Sequence, residues 1–586
     1  MAVFLLAIGL KRFIDRQISK KYRSPLEYIT LSSLVVLVAL IAKYPNRAIF
    51  TRARPDIKEL NADGHPLFGN MLQALTSKEN PLVVLNRAFQ KRGDIYTITV
   101  PYRGRFFLVN HPMYIEHILK TNFNNYIKGN VFGDQLRDIL GNGIFVSDQD
   151  AWRFHRKTAS NIFTTKMYRQ LAEGAFTDSA HDLCSIFDKA ESLSPPQPVD
   201  LQQLFLKLTM DAFGKLTFGI EFNSLLSEGR NEFGDAFDFL TANVDGRILN
   251  PLWPVIDRFI PGKIGKVRRA IAVLDRYAYS AVNKRRAEAP ADKEKRPRDL
   301  LDHFINHVRE DGSVLSDLEL RDVFVNFMIA GRDTTALTLT WQFYSLMANP
   351  RILKNVLKEL DIVLQGSEKY TYEVMMQGLP YLKAIFHETL RLYPQVPRNA
   401  KEVVNDDMLP DGTVVYKGDS VAFSTWAMGR NRGVWGEDAE VFCPERWLVD
   451  EEDVVVKDPS PSSKTPSTPP QQQTSSTKGV SPFGKFKMEN HFKFNSFNAN
   501  PRLCLGQTFA TLEAMVTTCM LLQNFNFKLV PGQPIPEPKP SATLPMKDPL
   551  MTITTRKQRH HHHDKAAVPA TPRSGDSSLS SSYISV

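Results

Sequence analysis

The feature that most constrains the fold is an uninterrupted helical pattern from Ser316 to Asn349. Ser316-Asp-Leu-Glu319 is a capping box, in which serine and glutamate satisfy each other's backbone N–H groups. Pro350 closes the pattern at its far end. About 32 residues at 1.5 Å each make a rod roughly 48 Å long. Such a rod crosses a whole domain, so other elements must pack around it. Its middle reads Ala330-Gly-Arg-Asp-Thr-Thr335. A mid-helix glycine costs roughly 1 kcal/mol against alanine, so it needs a reason. Ala330 and Gly331 predict a flat group packed against the backbone, while Asp333 and Thr334 add polarity to an otherwise apolar helix. Taken alone, the segment also reads as a polar kink in a core helix.

A second stretch carries metal chemistry. Phe497-Asn-Ala-Asn-Pro-Arg-Leu-Cys-Leu-Gly506 places Cys504 in a tight polar loop, and an apolar helical pattern follows from Thr508 to about Phe525. A helix N-terminus favours an anion. The setting therefore predicts a lowered thiol pKa and a thiolate, the form that ligates metal. No second cysteine stands at CxxC spacing, which argues against structural zinc. One thiolate suits a haem iron whose far side stays open. By itself Cys504 reads equally well as a structural cysteine ahead of a core helix.

Charge is concentrated at one end. Of the formal net +10, residues 1–60 carry +7, from eleven Lys/Arg against four Asp/Glu, and the rest only +3. This argues against a nucleic-acid surface and for a basic segment beside anionic lipid. Ala2 to Leu10 is apolar, a basic run follows, and Tyr28 to Ala42 is free of charge. The reading is an N-terminal membrane anchor over residues 1–45 and a basic, Pro/Gly-containing hinge over 46–70. A catalytic domain follows over 71–556, then a His/Ser-rich tail over 557–586, which includes His560 to His563. Within the domain, about 451–484 is rich in Pro, Ser and Gln and is expected to be a disordered insertion. Four cysteines, Cys184, Cys443, Cys504 and Cys519, are too few for a disulfide framework.

Five motifs in order resemble the cytochrome P450 superfamily. The loop matches F-x-x-G-x-R-x-C-x-G at Phe497, Arg502, Cys504 and Gly506, with Asn500 in place of the usual glycine. Asparagine tolerates left-handed backbone better than most residues, so the loop is expected to survive. Ala330 to Thr334 matches [AG]-G-x-[DE]-T, Trp152 and Arg156 match W-x-x-x-R, Glu388 and Arg391 match E-x-x-R, and Arg446 falls in P-E-R-[FW]. Each of the last three also reads, alone, as an ordinary amphipathic turn or surface ion pair.

The resemblance implies a mainly α fold with small β-sheets (α+β), anchored at its N-terminus, around haem b (iron protoporphyrin IX). By the match, Cys504 is the axial iron ligand, and Trp152 and Arg156 hold a propionate. Thr334 steadies dioxygen and the waters that bring protons, and Asp333 joins that relay to solvent. Glu388, Arg391 and Arg446 lock the scaffold of the haem loop. The loop from about Asn122 to Gln149, with Phe132, Leu136, Ile139, Ile144 and Phe145, is the expected substrate lining. The resemblance further implies a monooxygenase at the endoplasmic reticulum membrane, facing the cytosol. Electrons would come from NADPH–cytochrome P450 reductase, with cytochrome b5 as a further candidate, and Lys485, Lys487, Lys493 and Arg502 would form the cationic docking face. The motifs look most like fungal membrane-bound hydroxylases of alkanes and fatty acids. A terpenoid or xenobiotic hydroxylase reads almost identically. Asp333 and Thr334 argue against an isomerase that needs no dioxygen, and the Asn500 departure leaves a silent haem or lipid binder as the remaining rival.

Overall fold

The structure, a computed structural model, describes residues 25–557 apart from 228–230, 245–246, 248–249, 251, 290–297, 310, 450–478 and 540. At the N-terminal end stands α1 (Pro25–Lys43), with Ile29, Leu34, Val36, Leu37 and Ile41 exposed along it. No described helix, α1 included, is long and apolar enough to cross a membrane. Glu27 and Lys43 bracket a charge-free stretch of only about 22 Å, against ~30 Å of hydrocarbon. The first apolar stretch and the basic run after it lie outside the described residues, as do most of the Pro/Ser/Gln insertion and nearly all of the tail.

The segment after α1 folds onto a sheet. Ala48 N–H donates to Thr99 Oγ1 at 3.0 Å and Ala62 N–H to the Thr97 carbonyl at 2.8 Å. The strands β1 (Ile95–Val100) and β2 (Gly104–Val109) form the expected hairpin, rich in β-branched and aromatic residues. Gly104, at φ +80°, supplies the left-handed residue that returns the chain after Pro101-Tyr-Arg103. Next come β3 (Tyr126–Ile127), α2 (Gly129–Leu140), α3 (Gln149–Ser160), α4 (Ala175–Ser192) and β4 (Val199–Asp200). The helices α5 (Leu201–Phe218), α6 (Glu232–Val244), α7 (Lys263–Ala287), α8 (Asp317–Ala348), α9 (Pro350–Leu364) and α10 (Pro380–Leu392) follow. The chain then returns to strand with β5 (Asn399–Val403), β6 (Asp407–Met408), β7 (Val414–Val415) and β8 (Ser420–Phe423). The strands β9 (Leu448–Val449) and β10 (Lys485–Phe486) pair antiparallel, and α11 (Gln507–Asn524), β11 (Phe525–Leu529) and β12 (Met551–Arg556) complete the order. The main sheet runs β1-β2-β8-β5-β3, with β2 and β8 parallel and the other pairs antiparallel. A second sheet runs β11-β12-β4.

The hub is α8. Its capping box forms as the sequence predicts, with Ser316 and Glu319 bonded reciprocally. From Leu320 to Phe343 every residue is buried except Ile329, Ala330 and Thr334. A helix apolar all round belongs in the centre of a large domain. Polar side chains fix its neighbours. Thr209 Oγ1 of α5 donates to the Arg332 carbonyl at 2.8 Å, and Gln342 Nε2 donates to Thr518 Oγ1 of α11 at 2.8 Å.

Candidate active site

The cysteine loop is closed by its own backbone. Cys504 N–H donates to the Phe497 carbonyl at 2.8 Å, and Leu503 N–H to the Asn500 carbonyl at 2.9 Å. Asn498 and Asn500 both take left-handed backbone, at φ +63° and +48°. Asn500 thus adopts the conformation for which a glycine is the usual choice. The loop is pinned to α10, where Ser496 Oγ donates to the Leu390 carbonyl at 2.8 Å and the rings of Phe497 and Phe386 stack 6.4 Å apart.

Cys504 is the exposed member of the four free cysteines. Even so, burial pushes its thiol pKa up, against the lowering effects of the Gly506 N–H and the Arg156 cation. This corrects the expectation of a lowered pKa, because desolvation outweighs the helix end. A Cβ at Gly506 would meet nothing nearer than the Cys504 sulfur, 4.0 Å away.

The helix α3 presents Trp152 and Arg156 on one face, and both reach the loop. Arg156 Nη1 donates to the Leu503 carbonyl, and the Arg502 guanidinium lies over the Trp152 ring at 4.2 Å. Arg502 turns inward, donating to the Ser147 carbonyl at 3.2 Å and to Asp148 Oδ1 at 2.9 Å, while its Nε finds no partner. It therefore does not belong to an exposed docking face, as the sequence suggested. Lys485 and Lys487 are exposed, and Lys493 pairs with Glu489 at 3.3 Å.

Two further cations join Arg502 and went unnoticed in the sequence. Lys401 lies on β5, where strand alternation buries Asn399, Lys401 and Val403 together, and its Nζ is buried without a hydrogen-bond partner. Lys128 is buried just before α2. Burial, with repulsion from Arg502, pushes Lys128 down to about 7, and burial, with Lys128 and Arg502 nearby, holds Lys401 well below its usual value. Among the described residues, Asp148 is the carboxylate acting on both lysines. Lys401 Nζ and Arg502 Nε are thus left without acceptors beside Lys128, and among the described residues they form a cationic cradle. It fits the two propionates of a haem, as a single unpaired sulfur fits its iron.

The middle of α8 supplies a different set. Thr334 Oγ1 donates to the Ala330 carbonyl one turn back, and these two residues remain half-open on one face. The same i, i+4 stripe begins with Asp322 and Asn326. Asp322 Oδ2 accepts from Asn142 N–H at 2.8 Å, and Asn326 Oδ1 accepts from Phe145 N–H at 3.2 Å. That face therefore holds the segment leading from α2 to α3. Polar residues at i, i+4 in an apolar helix were the signal for this pair. Of the expected lining, Leu136 and Ile139 belong to the main core, whereas Ile144 is half-buried and Phe145 exposed. The side chain of Phe132 lies outside the described residues.

Gly331 points elsewhere. A Cβ there would lie 2.1 Å from Phe213 Cδ2 of α5. The expectation that it packs against a flat cofactor is corrected: the glycine is required by a close helix crossing. Asp333 is buried and accepts from Arg332 Nη1 at 2.7 Å, and the same nitrogen donates to Asp238 Oδ1 at 2.7 Å. Burial raises the Asp333 carboxyl to about 6, with Arg332 opposing. Asp238 is 43% exposed, so the chain Asp333–Arg332–Asp238 runs from the core to the surface.

Glu388, Arg391 and Arg446 come together. Glu388 accepts from Arg391 Nε at 2.7 Å and Nη2 at 2.8 Å, from Arg446 Nε at 3.1 Å, from Trp447 Nε1 at 2.9 Å and from Cys443 N–H at 2.7 Å. Arg391 spends its remaining donors on the carbonyls of Gly429, Ala439 and Val441.

Comparison with known proteins agrees with this chemistry. A family model of cytochrome P450 matches residues 61–554. The chain is 34% identical over 554 residues to cytochrome P450 monooxygenase cyp1 of Mycosarcoma maydis, covering 91% of this chain and 80% of that protein. It is 36% identical over 443 residues to cytochrome P450 704C1 of Pinus taeda, covering 72% and 78%. Against cytochrome P450 86B1 of Arabidopsis thaliana it is 33% identical over 499 residues, covering 79% and 82%. With a match over this length, and a cradle suited to a dicarboxylate macrocycle beside a lone thiol, the chain belongs to the cytochrome P450 family, as a haem b-dependent monooxygenase.

Proposed function

We propose that the protein inserts one oxygen atom of dioxygen into a hydrophobic straight-chain substrate, a fatty acid, an alkane or a similar molecule. The observation that carries the site is the half-open Ala330–Thr334 face in an otherwise buried α8. When bound, haem b supplies the redox chemistry that divides dioxygen, one atom entering a C–H bond and the other leaving as water with two electrons and two protons. Cys504 would hold the iron, and Arg156, Arg502, Trp152, Lys128 and Lys401 would receive the propionates. Glu388, Arg391 and Arg446 keep the loop in place through Ser496 and Leu390.

The chain's own part in the reaction is positioning and proton delivery. The Thr334 hydroxyl, bonded to the Ala330 carbonyl, sits where it can exchange that bond for one to dioxygen or water. A carboxyl held near 6 takes and releases a proton at neutral pH. Asp333 therefore stores the proton, and the Arg332 guanidinium, which stays protonated and bridges it to the part-exposed Asp238, orients it toward the surface. Ile329 and Ile144 give the substrate an apolar wall. The preference for straight chains rests on the likeness of Ala330–Thr335 and Phe497–Gln507 to fungal alkane and fatty-acid hydroxylases.

In the cell we place the domain on the cytosolic face of the endoplasmic reticulum. The exposed apolar residues of α1 lie in the lipid surface, and a separate NADPH–cytochrome P450 reductase supplies electrons. The test is to incubate membranes carrying the protein with reductase, NADPH, labelled dioxygen and a panel of fatty acids, alkanes and terpenoids. Label in hydroxylated straight chains supports the reading. Inactivity on every straight chain, with turnover of a terpenoid, defeats it.

A further inference from the structure

Away from the active site, the segment after α1 and the first hairpin border a cavity of about 260 Å³. That is below the roughly 300–1,000 Å³ of a pocket for a drug-sized ligand, and suits a small headgroup. Arg47, Arg54, Lys58 and Arg105 line it, and no carboxylate does. The polar remainder includes Asn61 and Thr97.

Two of these cations are built into the wall. Arg54 is 5% exposed, and its Nη1 finds no hydrogen-bond acceptor, the Asp419 carboxylate lying 3.9 Å away. Its Nε and Nη2 are taken by Asp56 and the Val414 carbonyl. Arg105 is 3% exposed and held by Asn61 and Thr97. Burial, with Arg54 and Arg47 opposing Asp419 and Asp56, keeps Arg105 below its usual range. Asp56 meets Arg54 at 2.6 Å, but Arg47, Lys58 and Arg105 line the wall with no carboxylate among the lining residues, and burying a charge is costly unless an opposite charge meets it.

The surroundings are those of a lipid interface. Arg47, four residues past the last residue of α1, donates to the Lys43 carbonyl at 2.6 Å, tying the cavity to the helix end. At the rim, Phe50 and Tyr102 are 69% and 71% exposed with ring centroids 5.5 Å apart. Phe50 lies between the lining residues Arg47 and Ala53, and Tyr102 between Thr99 and Arg105. Exposed aromatic rings beside cations are what a membrane surface receives.

We propose that this cavity binds the phosphate of an anionic glycerophospholipid headgroup and so fastens the domain to the membrane beside α1. A free phosphate monoester has the same chemistry, and the experiment separates the two sources. The full-length haem protein is titrated with phosphatidylcholine vesicles with and without phosphatidic acid, and separately with soluble glycerol 3-phosphate. Two double variants are compared. Arg47→Gln with Lys58→Gln removes two lining charges, while Lys43→Gln with Arg52→Gln removes two charges at the same end that do not line the cavity. An unchanged haem absorption spectrum shows that both fold.

The expected result is vesicle binding that rises with phosphatidic acid, a rise cut about tenfold by the first pair, equivalent to ~1.4 kcal/mol, and preserved within about twofold by the second. Equal loss in both pairs means diffuse surface charge and overturns the proposal. Saturable binding of glycerol 3-phosphate with no preference for phosphatidic acid overturns the lipid assignment. Neither result bears on substrate or haem, so failure here is distinct from failure of the proposed function.

Discussion

Replacing Glu388 by glutamine tests how the cysteine loop is supported. The carboxylate and the Arg391 guanidinium are both 0% exposed. Glutamine has nearly the same shape, but it removes the charge and turns an NH2 toward donors. Five donors converge on the native carboxylate, from Arg391, Arg446, Trp447 and Cys443. Arg391 keeps its three backbone carbonyls but loses its counter-charge. Breaking a buried pair by removing one partner costs about 3–5 kcal/mol, a large share of the roughly 5–15 kcal/mol that holds a domain folded. Arg446 offers the contrast. Its side chain is 12% exposed and its second partner, Asp438, is 53% exposed, so Arg446→Gln should cost only about 1–2 kcal/mol. Urea unfolding of the haem protein, followed by far-UV circular dichroism and the haem absorption band, measures both. A Glu388→Gln loss within about 1 kcal/mol, or an Arg446→Gln loss as large, would refute the reasoning.

Glu513 of α11 is fully buried with neither oxygen hydrogen-bonded, and burial raises its carboxyl to about 8. Because that value lies above the usual 4.5, the glutamate's contribution to stability is full below 4.5 and is lost as pH rises through 8. Glu513→Gln should therefore gain about 2–4 kcal/mol over the parent at pH 7 and almost nothing near pH 4.5, as read from urea midpoints across that range. Gly331→Ala forces Phe213 aside and should cost about 1–3 kcal/mol. A companion Phe213→Leu change should recover part of that cost in a double-mutant cycle, and additive losses would count against the crossing described above.

The readable parts of this chain are those set by near neighbours. Ser316 and Glu319 cap α8 because a capping box needs only four residues, and Glu388 finds Arg391 one helical turn away. Asn500 keeps the left-handed turn because that tolerance belongs to its own backbone. What escaped depends on distant sequence. Gly331 answers to Phe213, on a helix more than a hundred residues earlier, so nothing within Ala330–Thr335 could reveal its purpose. Lys401 looks like an ordinary strand lysine until Lys128 and Arg502 are brought beside it. Arg502 reads as a surface cation until Asp148 turns it inward. The thiol pKa of Cys504 escapes a reading of the sequence for the same reason: the helix end is local and visible, whereas desolvation belongs to the folded whole.

The most direct measurement is the absorption spectrum of reduced, carbon monoxide-treated protein, parent beside Cys504→Ser. If the sulfur at 504 is the iron's ligand, the parent shows the red-shifted Soret band of thiolate-bound haem, and the variant loses that band together with all oxygen insertion. An unchanged band and full turnover in the variant would contradict the assignment of Cys504 and everything built on it.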